Sequence, residues 1–360
     1  MIHVCTHSCL RRSLELLILF IFYLLLFFKA KAFNLTTIRF DEGYSNLFSD
    51  FNIKKSFNDQ TVSLLLNRLS GSGIISTDYY NHGFFSAIIK LPSDHTAGIV
   101  VAFYTSNVDT FERNHDELDF EFLGNVDGKP WRFQTNMYGN GSVSRGREER
   151  YRLWYDPRLE SHRYSLLWTP KNIIFYVDDI PIREIIRSDA LRGDYPSKPM
   201  SVYATIWDGS TWATNGGKAK VNYKHQPFVT QMSDLVLEGC RVDPIEQVPS
   251  TNCSDRNILL LQKPYSIITP EKKEAMKLFR ERYMFYSYCY DNIRYAVTPP
   301  ECVIVDSERR LFKETGRLRQ KMRFGGGHKK RRQGGNGGRN AREQRRNHSV
   351  TTAQHATSAM

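Results

Sequence analysis

Short hydrophobic runs separated by turn residues occupy the chain between residues 83 and 223. The runs cover residues 84–91, 99–104, 117–123, 133–138, 163–168, 173–177, 200–206 and 218–223. Segments such as Pro92-Ser-Asp, Asp127-Gly-Lys-Pro and Thr169-Pro-Lys-Asn stand between them and favour turns. Regular short strands with such turns predict an all-β jelly-roll sandwich with a curved cleft rather than an α/β fold.

One of these runs alternates carboxylates with apolar residues. Residues 115–125 read HDELDFEFLGN, and successive side chains of a strand point to opposite faces. One face therefore carries Asp116, Leu118, Phe120 and Phe122, and the other carries Glu117, Asp119 and Glu121. Three like charges in a row repel each other, so folding alone gives no reason for them. A solvated edge strand is the alternative to a functional site.

The chemistry that suits this row is cleavage of a glycosidic bond with retention. That reaction needs a nucleophile and an acid/base whose carboxyl groups lie about 5 Å apart. Two long Glu side chains can lean toward each other across a curved sheet, whereas two Asp side chains could not. Crowded carboxylates also separate their titrations, which leaves one of them protonated near neutral pH.

The same run resembles the catalytic signature of the plant xyloglucan endotransglucosylase/hydrolases of glycoside hydrolase family 16. The likeness extends from about Phe40 to about Cys302 and includes WRFQTN (131–136), YRLWYDP (151–157), IIFYVDDIPIRE (173–184) and WDGSTWATNGG (207–217). It implies that Glu117 is the nucleophile, Glu121 the acid/base and Asp119 a helper between them. Family members usually have Ile at position 118, where this chain has Leu. Many have Arg at position 215, where this chain has Asn, and that difference bears on acceptor binding.

Further positions are candidates for binding a polysaccharide. They are Gln134, Asn136, Arg147, Trp207, Trp212 and Arg294. Aromatic side chains can stack on the apolar faces of sugar rings, although core packing is an equal alternative for a single Trp. Amide side chains that alternate on the strand after the catalytic one can hydrogen-bond sugar hydroxyls. The resemblance places the two arginines on the acceptor side, and His115 is expected to orient a neighbour or to be structural.

The predicted function is therefore a xyloglucan endotransglucosylase that needs no cofactor or metal. It would cut the β-1,4-glucan backbone and transfer it to another xyloglucan chain. The alternatives are a xyloglucan endohydrolase, a mixed-linkage glucan hydrolase and a non-catalytic glucan-binding protein. The complete carboxylate set argues against the binding protein, and by the resemblance the regular Glu-x-Asp-x-Glu spacing favours xyloglucan. Residues 207–220 look more like the transglucosylating members than the hydrolytic subgroup.

The N-terminus predicts a secreted, cell-wall protein. Arg11 and Arg12 precede thirteen apolar residues at 16–28, and Ala30-Lys31-Ala32 fits a cleavage site. Residues 1–32 are thus predicted to be a signal peptide; a retained anchor is the alternative, but the apolar stretch is short for a span. Among several sequons, Asn140-Gly-Ser in a Gly-rich turn is the preferred glycosylation site.

The cysteines that follow the signal peptide suggest two disulfides. Cys240, Cys253, Cys289 and Cys302 allow three pairings, which sequence alone does not separate. A zinc site is less favoured because no close Cys-x-x-Cys pair occurs. The resemblance favours Cys240 with Cys253 and Cys289 with Cys302.

The C-terminal part changes in character. The predicted division is a catalytic domain at 33–235, a disulfide-bonded extension at 236–305 and a basic, disordered tail at 306–360. Thr269-Pro-Glu predicts a helix start, and Met276, Phe279, Tyr283 and Tyr286 follow at helical spacing.

Most of the net charge of +12 lies in the tail. Twelve Lys or Arg and one Glu fall between residues 317 and 346. Outside the cell, such a polycation could bind acidic pectin, or it could be an inert solvated tail. A nucleic-acid partner and stable membrane association are not expected, and the protein is expected to be a monomer.

Overall fold

The structure is a computed structural model and describes residues 33–93, 95–243, 248–250 and 252–319. The predicted signal peptide and residues 320–360 of the basic tail lie outside the described residues. Within the described residues, no helix is long and apolar enough to cross a membrane.

Antiparallel strands make up most of the fold. In chain order they are β1 (Tyr44–Phe48), β2 (Ile53–Lys55), β3 (Thr61–Leu66), β4 (Ser72–Ser76), β5 (Tyr79–Lys90), β6 (Ile99–Ser106), β7 (Glu117–Leu123), β8 (Arg132–Tyr138), β9 (Glu149–Tyr151), β10 (His162–Trp168), β11 (Asn172–Val177), β12 (Ile180–Ile186), β13 (Ser201–Asp208), β14 (Phe228–Val242), β15 (Met284–Asp291) and β16 (Thr315–Arg317). The α-helices are α1 (Cys253–Gln262), α2 (Pro270–Tyr283) and α3 (Asp306–Arg309). Short 3-10 turns occur at Phe40–Glu42, Asp50–Asn52, Asp189–Asp194, Tyr223–His225 and Pro264–Ser266.

The strands form two sheets. The nine-stranded sheet has the order β1-β4-β13-β6-β7-β8-β9-β15-β16, and the seven-stranded sheet has the order β12-β11-β10-β5-β14-β3-β2. Side chains from both sheets meet between them: Phe120 lies 5.9 Å from Tyr164 and 5.1 Å from Phe175, ring centroid to centroid. Burial of each such ring stabilises the fold by roughly 1.5–3 kcal/mol. The all-β sandwich prediction is confirmed.

The predicted helix is present, but it is shorter than the aromatic stripe implied. Thr269 caps it, because its Oγ1 accepts a hydrogen bond from the Lys272 amide at 3.3 Å, and Pro270 is its first residue. Tyr286, placed on the stripe by helical spacing, lies instead in β15, since strand pairing with β9 takes over from Met284. Residues 218–223 form no strand and lead into the 3-10 turn at Tyr223–His225.

The C-terminal extension is part of the sandwich. Strand β14 runs through the predicted division at residue 235, and β15 and β16 add two strands to the edge of the nine-stranded sheet. Residues 306–319 hold α3 and β16, which differs from the expectation of disorder there. Both disulfide pairings are confirmed, Cys240–Cys253 joining β14 to α1 and Cys289–Cys302 joining β15 to the loop before α3.

Candidate active site

Strand β7 carries the candidate catalytic residues in the middle of the nine-stranded sheet. Leu118, Phe120 and Phe122 are fully buried, as the alternation predicts. On the other face, the pairing with β6 and β8 sets each carboxylate opposite defined neighbours: Glu117 opposite Ser106 and Tyr138, Asp119 opposite Tyr104 and Asn136, and Glu121 opposite Ala102 and Gln134. The sheet therefore fixes which groups can touch each carboxylate.

The glycine that follows strand β7 is required for a steric reason. A Cβ atom on Gly124 would lie 1.7 Å from the carbonyl oxygen of Thr96, so only glycine fits this close approach. Next to it, the side-chain amide of Asn125 donates to the carbonyl oxygen of Pro130 at 2.9 Å. These contacts fasten the end of the catalytic strand to its neighbours.

Glu121 has the environment of a general acid. Gln134 donates a hydrogen bond to its carboxylate, and Arg150 Nε donates to Gln134 Oε1 at 2.9 Å. Burial, together with the charges of Glu117 and Glu148, raises the pKa of Glu121 to about 7, against the opposing effects of Gln134 and Arg150. A carboxyl group with this pKa can hold a proton at neutral pH and release it in a reaction.

Asp119 and Glu117 form a coupled pair. Asp119 is 4% exposed, and burial and the flanking charges of Glu117 and Glu121 raise its pKa well above the ordinary value. Burial also raises the pKa of Glu117, while His115, Ser106 and Asp119 oppose that rise. Both shifts favour the neutral carboxyl groups, and Asp119 Oδ2 is buried with no hydrogen-bond partner among the described residues. The two carboxyl groups therefore titrate as a pair rather than as separate groups.

His115 adjoins the same pair. Its Nε2 lies 4.0 Å from Glu117 Oε2, and its Nδ1 is 3.3 Å from the carbonyl oxygen of Glu112. One ring nitrogen therefore lies next to the backbone, and the other is directed toward the Glu117 carboxylate.

Asn136 and Arg147 lie in the floor of the site but are already bonded. The Arg147 amide donates to Asn136 Oδ1 at 2.8 Å. The buried Arg147 guanidinium pairs with Asp194 at 2.7 Å and with Glu301 at 2.6 Å. These contacts join the loops around a cavity of about 560 Å³. The substrate-binding role of Arg147 stays a prediction, and its described contacts are with protein.

Trp207 and Trp212 lie together near the C-terminal end of β7. Their ring centroids are 6.0 Å apart, and they pack against Val100, Leu123 and Ala213. Both residues are partly exposed, so they pack against the core, while their role as platforms for sugar rings stays a prediction. Trp212 Nε1 is buried and has no hydrogen-bond partner in the described part of the chain.

Arg294 and Asn140 lie at the opposite side from the tryptophans. Arg294 pairs with Glu148 at 2.5 Å and is partly exposed, so its proposed acceptor contact would compete with an ion pair. Asn140 is exposed at the tip of its turn, where a glycan could be attached.

Several residues escaped sequence reasoning. They are Asp116, Tyr104, Tyr203, Arg150 and Tyr286. Asp116, assigned only to the apolar face, accepts hydrogen bonds from the Asn140, Ser197 and Lys198 amides and pairs with the Lys198 ammonium at 2.8 Å. Tyr104 and Tyr203 stack at 4.9 Å beside Asp119. The alternation of side chains on β6 could have revealed Tyr104, but the pairing of distant strands is needed for Tyr203, Arg150 and Tyr286.

Comparisons with known proteins identify the class of enzyme. Residues 40–225 match the family model for glycosyl hydrolases family 16, and residues 258–302 match the model for the xyloglucan endo-transglycosylase (XET) C-terminus. The chain is therefore an enzyme that cleaves or transfers glycosidic bonds.

Curated relatives narrow this class. Probable xyloglucan endotransglucosylase/hydrolase proteins 30 and 29 of Arabidopsis thaliana are 59% and 58% identical, over 87% and 82% of this chain and 87% and 84% of the relatives. A solved lichenase from a mouse hindgut metagenome is 22% identical, with a TM-score of 0.45, and covers 56% of this chain and 97% of its own. The chain belongs to the xyloglucan endotransglucosylase/hydrolase family.

Proposed function

We propose that the protein is a xyloglucan endotransglucosylase that cleaves the β-1,4-glucan backbone with retention. The observation that carries the proposal is the carboxylate row on β7, in which Glu117, Asp119 and Glu121 lie on one face of the strand and the pKa of Glu121 is raised to about 7. The names of the relatives supply the substrate.

In the first step, Glu117 is the nucleophile. One of its carboxylate oxygens bonds to the anomeric carbon as the glycosidic C–O bond breaks. Glu121 gives its proton to the departing oxygen, so the leaving chain carries a free 4-hydroxyl. The two electrons of the broken bond remain with the leaving oxygen. Because the new ester bond removes the negative charge from Glu117, the hydrogen bond from Asp119 weakens.

In the second step, the 4-hydroxyl of an acceptor chain attacks the anomeric carbon. Glu121, now ionised, takes the hydroxyl proton, and Glu117 leaves as a carboxylate. Water in place of the acceptor gives hydrolysis. We infer that transfer dominates, because Trp207 and Trp212 form an apolar surface near the catalytic strand that suits a sugar ring better than free water.

The experiment is to incubate the purified protein with xyloglucan and a fluorescently labelled xyloglucan oligosaccharide. Label that enters the polymer demonstrates transfer. New reducing ends without incorporation show a hydrolase instead, and the absence of both refutes the enzymatic proposal. Proton NMR of the first hydrolysis products tests the stereochemistry, because retention requires the β-anomer to appear first.

We further infer that the protein is a secreted cell-wall monomer with a glycan on Asn140. The basic tail would bind de-esterified pectin by releasing counterions. Full-length protein should be retained on a pectin column at low salt and eluted by salt, whereas protein lacking residues 320–360 should elute at a clearly lower salt concentration. Equal retention of the two would rule out the tail as the pectin-binding segment.

A further inference from the structure

Three arginines on the cleft face of the nine-stranded sheet have no acidic partner among the described residues. They are Arg132 on β8, Arg150 on β9 and Arg317 on β16. Other arginines around the site are paired with acids at 2.5–3.7 Å, namely Arg147, Arg183, Arg280 and Arg294. The three unpaired cations are called the arginine row below.

Strand pairing aligns the arginine row with the acid/base. Across the sheet, the directly opposed residues are Glu121, Gln134, Arg150, Tyr286 and Arg317, in that order. Opposed residues point to the same face, and strands lie ~4.8 Å apart, so the alignment extends roughly 19 Å from the acid/base. Arg132 precedes Gln134 by two residues and shares that face, roughly 7 Å along the strand. The row therefore lies in the path of a glycan that reaches the catalytic strand.

Two of the guanidinium groups of the arginine row contact neutral groups of the protein, and these contacts leave their positive charge unbalanced. Arg150 lies over the ring of Tyr286 at 4.7 Å and bonds only the neutral amide of Gln134. Arg132 contacts Asn215 Oδ1 at 3.5 Å, a weak bond to a neutral group. Arg317 is exposed.

The three cations also act on one another. Burial, followed by the charges of Arg150 and Arg317, lowers the pKa of Arg132. If the cations served only to balance the catalytic carboxylates, Arg132 would be expected to contact one of them. It contacts Asn215 instead.

We propose that the arginine row binds the carboxylate groups of an acidic glycan, so that the cleft takes a uronic-acid-containing acceptor in addition to neutral xyloglucan. This inference rests on the proposed transfer function. A guanidinium group matches a carboxylate with two parallel hydrogen bonds. A uronic acid presents that carboxylate at carbon 6 of each pyranose ring, so a chain of such sugars can place successive anions along the row.

The test compares two labelled acceptors that differ only at carbon 6. One is a β-1,4-linked glucuronic acid oligosaccharide, and the other is the cello-oligosaccharide of equal length. Xyloglucan is the donor, and a labelled xyloglucan oligosaccharide monitors the proposed function itself. The proteins are the full-length wild type, the double variant Arg132→Gln/Arg317→Gln and the control Lys54→Gln, whose exposed residue lies on β2 of the other sheet.

We expect the ratio of uronate to neutral acceptor use to fall at least about tenfold in the double variant, as expected when charge-assisted hydrogen bonds are lost. The ratio should stay as in the wild type for Lys54→Gln. Raising the salt concentration should depress use of the uronate acceptor alone.

The proposal is overturned if the ratio is unchanged in the double variant, or if xyloglucan oligosaccharide is joined and the glucuronic acid oligosaccharide is not. If no acceptor is joined, the transfer function fails, and titration calorimetry then decides the arginine row separately. Equal affinity of the wild type and the double variant for the glucuronic acid oligosaccharide would overturn it there. The tail is common to both proteins and cancels in that comparison.

Discussion

Glu121 is partly buried and Glu149 fully buried, two strands apart in one sheet, and their pKa values move in opposite directions. Glu121 faces the cleft, where burial raises its pKa to about 7. Glu149 faces the core, where burial acts in the same sense but Arg280 and Arg183 overcome it and lower the pKa to about 2. The difference lies in their partners rather than in the depth of burial.

The partners of Glu149 form a closed set. Arg280 pairs with both of its oxygens at 2.6 and 3.0 Å, Tyr151 donates at 2.6 Å and Ser287 at 3.1 Å. Glu121, by contrast, has the hydrogen bond from Gln134 and two like charges nearby. Glu149, whose carboxylate is fully hydrogen-bonded, holds the C-terminal extension to the sandwich. Glu121 has fewer cations nearby, so its carboxyl group can carry a proton to a substrate.

The largest expected effect is loss of the nucleophile. Glu117→Ala should lower kcat for both transfer and hydrolysis by at least roughly 10⁴-fold, because no glycosyl-enzyme can form. Label incorporation and reducing-end release measure the two reactions. Glu112→Ala, an exposed glutamate in the preceding loop, is the matched control and should retain wild-type rates. Activity of Glu117→Ala near the wild-type level would contradict the assignment.

The next effect concerns stability. Glu149→Gln should lower the free energy of unfolding by about 3 kcal/mol, because it removes the counter-charge of the buried Arg183 and one of the two carboxylates that pair with Arg280. Denaturant titration near neutral pH measures it, with the exposed Glu314→Gln as the control. Glu121→Gln in the same experiment should leave stability unchanged or raise it, since it removes a buried charge. Equal destabilisation by both buried variants would break the contrast between them.

The same pair predicts opposite pH dependences of stability. The pKa of Glu149 falls from 4.5 to about 2 on folding, so its contribution is present above pH ~4.5 and is lost as the pH falls toward 2. The pKa of Glu121 rises from 4.5 to about 7. Its ionisation therefore costs stability as the pH rises from ~4.5 to 7. Unfolding curves of the two glutamine variants against pH should differ from the wild type in these separate windows.

The contrast also marks what sequence could and could not predict. Alternation of side chains on β7 was enough to place Leu118 and Phe120 in the core and Glu117 and Glu121 in the cleft, because the pattern of a strand is local. Nothing local distinguishes Glu149 from Arg150, its neighbour on β9. Their opposite roles depend on Arg280 and Ser287, more than 130 residues along the chain.

The C-terminal extension gives the same lesson. The capping signal at Thr269 is local and predicted the helix start, whereas Tyr286 fitted a helical stripe and lies in a strand. The helical spacing of the aromatic residues does not continue to Tyr286, because Met284 and Tyr286 pair with the free edge of β9 and form a strand. Residues 306–319 looked too polar to fold, but Glu308 is buried against Arg280 of α2 and gives the segment a fixed partner.

A smaller effect should appear at the helper residue. If Asp119 acts as a proton donor to Glu117, Asp119→Asn keeps a donor of the same shape and should lose about tenfold or less in kcat. Asp119→Ala removes it and should lose roughly 10²-fold or more. Both variants should keep the wild-type unfolding midpoint to within a few degrees. Equal losses in the two variants would show that the ionised form of Asp119, rather than its proton, is required.

The smallest effect is a displacement of the pH profile. If the acid form of Glu121 is required for cleavage, as proposed, kcat should fall tenfold per pH unit above about 7 in the wild type. Gln134 donates to the ionised carboxylate and thereby lowers the pKa of Glu121, so Gln134→Met should raise that pKa and move the alkaline limb to higher pH by up to roughly one unit. Arg150→Gln should move it in the same direction, because it removes a cation that favours the ionised form. The position of the limb is the measurement, since the overall rate also falls if Gln134 binds sugar. If the alkaline limb of the kcat profile stays in place or moves to lower pH in both variants, Glu121 is not the group that titrates. Glu121 and Glu149 would then both be structural carboxylates.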